Sequence, residues 1–218
     1  MRVEAIRSGG WMLAVVVALG AVPARAQWTE DQPARSSNRA PSQGRAGGYR
    51  PVGVLLRMGL DAGGDELASV EFSNGDSTKV RAGGLVSFAG GILFHPDAPF
   101  ALEGTIGYKI DQAKAENGKI SFSRVPVDVI ASFAHGGHRL GAGGTIHLSP
   151  TYSCKVDGFC DGSVSYDNAL GGIVQYAYGW GRDHGFELGV RGTLISYKRN
   201  GLPTLSGNCV GVILGGWL

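Results

Sequence analysis

The sequence predicts an all-β protein, an eight-stranded antiparallel up-and-down barrel that crosses a membrane with its strands. Three observations carry this expectation. Segment after segment alternates apolar and polar residues with period two. The connections between segments are alternately short and long. Aromatic residues gather near the segment ends, where amphipathic rings sit at membrane interfaces.

The chain opens on a targeting segment, residues 1–26. Arg2 and Arg7 give a basic start, Trp11–Val22 is apolar, and Ala24-Arg25-Ala26 is a small-x-small cleavage site. The apolar run is too short to span a bilayer, so it reads as a secretory signal that is removed. No cysteine follows the site to carry a lipid anchor. Arg2, Arg7, Arg25 and Glu4 leave with it, and the remaining basic and acidic residues balance. A balanced chain offers no electrostatic basis for binding nucleic acid. Residues 27–50 are polar, rich in Ser, Pro, Gly and Arg, and nearly free of aliphatics, the composition of a disordered leader.

Residues 51–218 form the barrel. Glycine is abundant, 37 of 218 residues against a usual share of about 7%. The first strand is Val52–Leu60, with Val54, Leu56 and Met58 on one face and Arg57 on the other. Glu66–Phe72, the turn pair Asn74-Gly75 and a return from Thr78 predict a hairpin ribbon beyond the bilayer. The second strand ends in Val86–Phe94, and the third is Phe100–Ile110. The fourth, Lys119–Ala134, contains Pro126, which predicts a bulge there. The fifth is Arg139–Leu148, and a longer loop runs on to Tyr166. The sixth strand reaches Tyr178 and the eighth is Asn208–Leu218.

The seventh strand, Phe186–Tyr197, shows the pattern most plainly. Phe186, Leu188, Val190 and Leu194 share one face; Glu187, Arg191, Thr193 and Tyr197 share the other. A soluble barrel would turn its large apolar residues inward. In this chain they lie opposite the charges, as expected where the outer solvent is hydrocarbon. Phe94, Phe100, Phe133, Tyr178, Trp180, Phe186 and Trp217 form the expected girdle at the short turns. Tyr108, Tyr152, Tyr166 and Tyr197 form the opposite one.

The same alternation fills the lumen. Arg57, Arg81, Glu103, Lys109, Arg124, Asp128, Arg139, Glu187 and Arg191 are expected to point inward. Eight strands leave an interior that side chains just fill, and buried charges must pair. This predicts a plugged ion-pair core. The surplus of cations in that set leaves a narrow anion-preferring channel as an alternative.

Three further sets bear on function. Cys154 and Cys160 have the spacing of a local disulfide in an exported protein, and Cys209 is left over as a buried thiol. Asp61, Asp65, Asp157 and Asp161 match no calcium-loop spacing, so no metal and no cofactor is expected. His147-Leu148-Ser149 would put His147 and Ser149 on one face of the fifth strand.

The signal, the eight alternating strands and the final Asn208–Leu218 stretch resemble the small OmpA/OmpX-type outer-membrane barrels. The resemblance implies the outer membrane of a Gram-negative bacterium, with lipid and lipopolysaccharide as neighbours. It also implies insertion by the barrel-assembly machinery, which reads a terminal aromatic; here Trp217 precedes a final Leu218. The His-x-Ser is similar to the catalytic pair of outer-membrane lipid A deacylases, in which His activates Ser towards an ester. The Asn that follows in that family is Pro150 here. The expected function is a non-enzymatic, monomeric barrel with a structural or loop-mediated binding and adhesion role. The alternatives are the lipid A-modifying enzyme and the porin-like anion channel.

Overall fold

A computed structural model describes residues 52–71, 77–97, 100–115, 118–180 and 185–218. The signal and leader segments and the Asn74-Gly75 turn lie outside the described residues. The strands are, in chain order, β1 Val52–Gly63, β2 Glu66–Glu71, β3 Ser77–Arg81, β4 Val86–Asp97, β5 Phe100–Ala115 and β6 Gly118–His135. They continue with β7 His138–Val156, β8 Cys160–Ser165, β9 Ala169–Trp180, β10 Gly185–Tyr197, β11 Leu205–Ser206 and β12 Cys209–Trp217.

Eight of them close on themselves: β1 pairs β4, then β5, β6, β7, β9, β10 and β12 follow, and β12 returns to β1, all antiparallel. The seam between β1 and β12 runs from Leu55↔Trp217 to Gly63↔Cys209. Two further bonds, Val54 N–H to Leu218 O and Leu218 N–H to Val54 O, carry it to the last residue. Closure removes every strand edge from the barrel wall.

Burial follows the predicted alternation with its sign inverted relative to a soluble protein. On β10, Phe186, Leu188, Val190 and Leu194 are exposed, whereas Glu187 and Tyr197 are almost wholly buried. The same apolar exterior runs through Val54, Leu56 and Met58 on β1 and Phe100, Leu102 and Ile106 on β5. An apolar surface this continuous, around a charged interior, is the surface of a barrel solvated by lipid chains.

The strands outrun their predicted ends on one side. β7 has 19 residues and β6 has 18, whereas about ten suffice to cross the hydrocarbon. What reads as a loop from 150 to 165 is hairpin: β7 continues to Val156, and β8 returns along it from Val156↔Cys160 to Thr151↔Ser165. The ribbon β2–β3 stands beside β5 and β6, with Lys79 Nζ on Glu66 Oε2 at 2.8 Å.

Pro126 does not bulge its strand. It stays in register opposite His147, and only its β5 neighbours lose their bridges, between Ile106↔Val127 and Lys109↔Arg124. The missing N–H explains that gap. The bulge lies across the ladder, where Ser149 and Pro150 together face Arg124, between Ser123↔Thr151 and Val125↔Leu148. Ser149 takes φ +48° there. One extra residue reverses which side chains point inward: Thr145 and His147 are buried below it, Cys154 and Val156 above it.

Four predicted girdle residues are also displaced, Tyr152 and Tyr166 packing partly buried against the outer-mouth cluster. Trp217 turns inward and packs with Leu55, Leu93 and Ala101 across the short-turn mouth. Tyr197 is wholly buried, against Phe122, at a ring distance of 5.3 Å. The outer mouth holds an apolar cluster of its own: Ala113, Ile120, Phe122, Val156, Ile195 and Tyr197, joined by Ala68, Val80 and Ala82 around the ribbon.

Candidate functional site: the charged lumen and the outer hairpin

Between those two apolar layers the lumen is ionic. Glu187 on β10 accepts from Arg57 Nε at 3.0 Å and Nη2 at 2.5 Å, and pairs with Arg139 on β7. Arg57 also engages Glu103 on β5 through both of its terminal nitrogens, Nη2 donating to Oε2 at 2.9 Å. Gln175 donates to the same Oε2 at 3.3 Å and accepts from Arg191 Nη2 at 3.0 Å. Arg191 Nη1 reaches Asp128 Oδ2 at 2.9 Å, whose other oxygen accepts from Thr145 at 2.6 Å. One connected network thus ties β1, β5, β6, β7, β9 and β10 across the interior. The wall leaves it room: a Cβ at Gly215 would stand 2.8 Å from Glu187 Oε1.

A second group sits towards the outer mouth. Lys109 Nζ pairs with Asp61 Oδ2 at 3.0 Å and donates to Cys209 Sγ at 3.2 Å; Ser87 donates to Asp61 at 3.3 Å. Arg124, almost wholly buried, lies 5.0 Å from the Phe122 ring centre and 5.9 Å from that of Tyr197. Its three nitrogens have no hydrogen-bond partner among the described residues. A small cavity of about 30 Å³ lies between the two groups, lined by Asp61, Lys109, Asp128, Thr145, His147 and Arg191 among others. That space holds about one water molecule.

Arg81 corrects the predicted set. It ends the ribbon strand β3, its side chain is exposed, and only its backbone N–H turns to the lumen side, onto Asp111 Oδ2 at 2.8 Å. The residues 82–85 turn between β3 and β4, so the alternation of the ribbon is not that of the wall. Two inward acids escaped the sequence reading, Asp61 and Asp111, both buried. Each stands one residue past the predicted end of its strand, in phase with Arg57 and Lys109. With them, Arg57, Lys109, Arg124, Arg139 and Arg191 face Asp61, Glu103, Asp111, Asp128 and Glu187. The cation surplus behind an anion path disappears.

His147 and Ser149 do not share a face. His147 is buried in the lumen with Nδ1 2.6 Å from Tyr197 Oη, whereas Ser149, past the bulge, is exposed and donates its backbone N–H to Asn168 Oδ1 at 3.0 Å. The four aspartates weighed for calcium are scattered. Asp61 is in the lumen, Asp65 binds the backbone of Ser206 at the ribbon base, and Asp157 and Asp161 lie exposed on the β7–β8 hairpin. Cys154 and Cys160 are joined as a disulfide across that hairpin's tip, and Cys209 is a free, buried thiol. Phe159 stands exposed between the disulfide partners.

No protein-family model and no curated protein matches the chain. Among solved structures, it is similar to Neisserial surface protein A, at 13% identity and a TM-score of 0.45, covering 77% of this chain and 96% of that one. It is similar to Ail, the attachment invasion locus protein of Yersinia pestis, solved with the heparin analogue sucrose octasulfate. There the identity is 9% and the TM-score 0.46, over 76% of this chain and 96% of that one. The outer membrane protein AlkL, solved in lipid bilayers, is similar at 14% identity and a TM-score of 0.40, over 87% and 96%. By its own strand pairing this chain is a closed, eight-stranded antiparallel barrel, apolar outside and charged within.

Proposed function

We propose that the protein is a non-enzymatic barrel of the outer membrane of a Gram-negative bacterium, exported by its signal segment. In this reading it is inserted by the barrel-assembly machinery, stands as a monomer among lipid and lipopolysaccharide, and works through what it presents outside the membrane. The observation that carries this reading is the filling of the lumen. Trp217, Leu55 and Leu93 pack at one mouth, Phe122 and Tyr197 at the other, and a charge-balanced network lies between. A barrel without a passage offers only its surfaces. Among the described residues, one exposed surface is the β7–β8 hairpin, clamped by Cys154–Cys160 and tipped by Phe159. Binding or adhesion through that hairpin is the role proposed.

Three measurements test it. In planar bilayers the reconstituted protein is expected to give no stepwise current; steady unitary conductance would replace this reading with the channel. Lipid A from producing cells is expected to keep its mass; a loss of an ester-linked acyl chain that depends on Ser149 would replace it with the enzyme. Producing cells are expected to adhere to a protein-coated surface, and to stop doing so when residues 151–165 are exchanged for a two-residue turn. Undiminished adhesion by that variant would remove the hairpin from the proposal.

A further inference from the structure

The outer wall of the barrel opens between β9 and β10 at their outer ends. β9 and β10 pair without a break from Phe186↔Trp180 to Ile195↔Gly171 and then part. Their next bond is from Asp167 N–H to Lys198 O at 2.9 Å, beyond the strand ends. Past Ile195 each strand keeps only its far-side partner: β10 continues its β12-side ladder onto β11 through Ser196↔Ser206 and Tyr197↔Leu205, and β9 stays with β7 through Ile146↔Leu170 and His147↔Ala169. An open groove of about 560 Å³ lies where they separate, with Leu170, Leu194, Asn168, Ser196, Lys198 and Asn208 among its walls.

Its position along the membrane identifies what can fill it. Phe186 marks the short-turn girdle, and Leu194 lies eight residues along the same strand, roughly 26 Å at about 3.3 Å per residue. A strand tilted by about 40° converts that to about 20 Å of depth, inside an apolar band about 25 Å tall. Leu194 therefore stands just within the hydrocarbon at its outer boundary, and Lys198, four residues and about 13 Å further along the chain, stands in the headgroup layer. Leu170 and Leu194, 80% and 66% exposed, are the two most exposed large apolar residues described. Both belong to outward faces, so what covers them comes from the bilayer and not from the lumen. Lys198 and Arg199 are exposed side by side at the polar end, against the single acid Asp167.

We infer that this groove seats one outer-leaflet lipid, its acyl chain along Leu170 and Leu194 and its anionic phosphate on Lys198. The seat is separate from the β7–β8 hairpin and rests only on the membrane-spanning part of the function proposed above. One lysine near an anionic lipid surface contributes a roughly fivefold preference, and that is the effect to be read.

The test places tryptophan probes in the full-length protein folded into phosphatidylcholine vesicles. Leu170→Trp reports the groove, and Leu188→Trp reports the same exterior far from it. A small fraction of acyl-brominated phosphatidylglycerol or acyl-brominated phosphatidylcholine serves as quencher, with the parent protein's signal subtracted. Quenching at position 170 is expected to show a roughly fivefold preference for the anionic lipid, and position 188 none. Adding Lys198→Glu should remove the preference at 170 while gel migration still changes on boiling. Leu194→Trp, on the facing wall, gives the same reading if Leu170→Trp fails to fold. Equal quenching by both lipids at 170 and 188, or a preference that survives Lys198→Glu, overturns the seat and leaves the barrel reading intact. Failure of the parent chain to insert at all overturns both.

Discussion

At the scale of single residues, the charges in the lumen are expected to outweigh the apolar groups on the wall. Glu187→Ala leaves Arg57 and Arg139 without their shared carboxylate in a site closed to water. It should destabilise the barrel by about 3–5 kcal/mol, the cost of breaking a buried pair from one side. Leu102→Ala removes more carbon but from a side chain that stays half exposed to its surroundings, and should cost less than about 1.5 kcal/mol. Urea unfolding in vesicles compares them directly, and equal losses would mean the carboxylate is solvated. Gly84 gives a second check. Its φ of +75° suits glycine, and a Cβ there would meet the Arg124 guanidinium. Gly84→Ala should cost about 1–2 kcal/mol from the backbone alone, more if Arg124 cannot yield. Why some of these residues were legible in sequence and others not is a question of phase. Glu103, Arg124 and Glu187 sit within the predicted strands, where alternation is unbroken. Asp61 and Asp111 sit in phase but beyond the last apolar residue, where alternation gives no reason to extend the strand. Arg81 sits in a run whose phase a turn resets.

At the scale of elements, the strand count and pairing order were readable because each membrane segment carries several apolar–polar repeats. The β7–β8 hairpin was not. β8 reads Cys-Asp-Gly-Ser-Val-Ser, with one aliphatic residue, and is held to β7 by its backbone ladder and the disulfide; such a strand leaves no periodic mark. The Ser149-Pro150 bulge was invisible for a related reason, since an inserted residue changes phase without changing composition. It is also why His147 and Ser149, two apart in sequence, part company. The disulfide belongs to this scale. Closing a short loop at the β7–β8 tip should stabilise by about 2 kcal/mol in the chain-entropy model, and mainly locally. Mass spectrometry of the unreduced protein should find Cys154 linked to Cys160 and Cys209 free. Reduction should speed amide exchange in residues 151–165 while β10 and β12 stay protected. Uniform loss of protection would show that the hairpin is part of the barrel's own cooperative unit.

At the scale of the whole molecule, the fold depends on its last strand. Residues 209–218 supply both the partner of β1 and the partner of β10. A chain ending at Asn208 should show no boiling-dependent shift on gels and should be degraded by added protease; a protected, shifting species would mean that seven strands can close without the eighth. The β1–β12 seam has a further consequence, for the time course of assembly. Synthesis delivers β1 first and β12 last, and no earlier pairing spares β1 the wait. Until its partner arrives, Leu55–Gly63 presents an open row of amides and carbonyls beside exposed leucines, a template for any other strand it meets. Long-range closure is slow compared with hairpin formation. The half-made chain therefore has a lifetime during which self-association competes with completion, and an escort that holds its first strand until the last is in place would decide the yield.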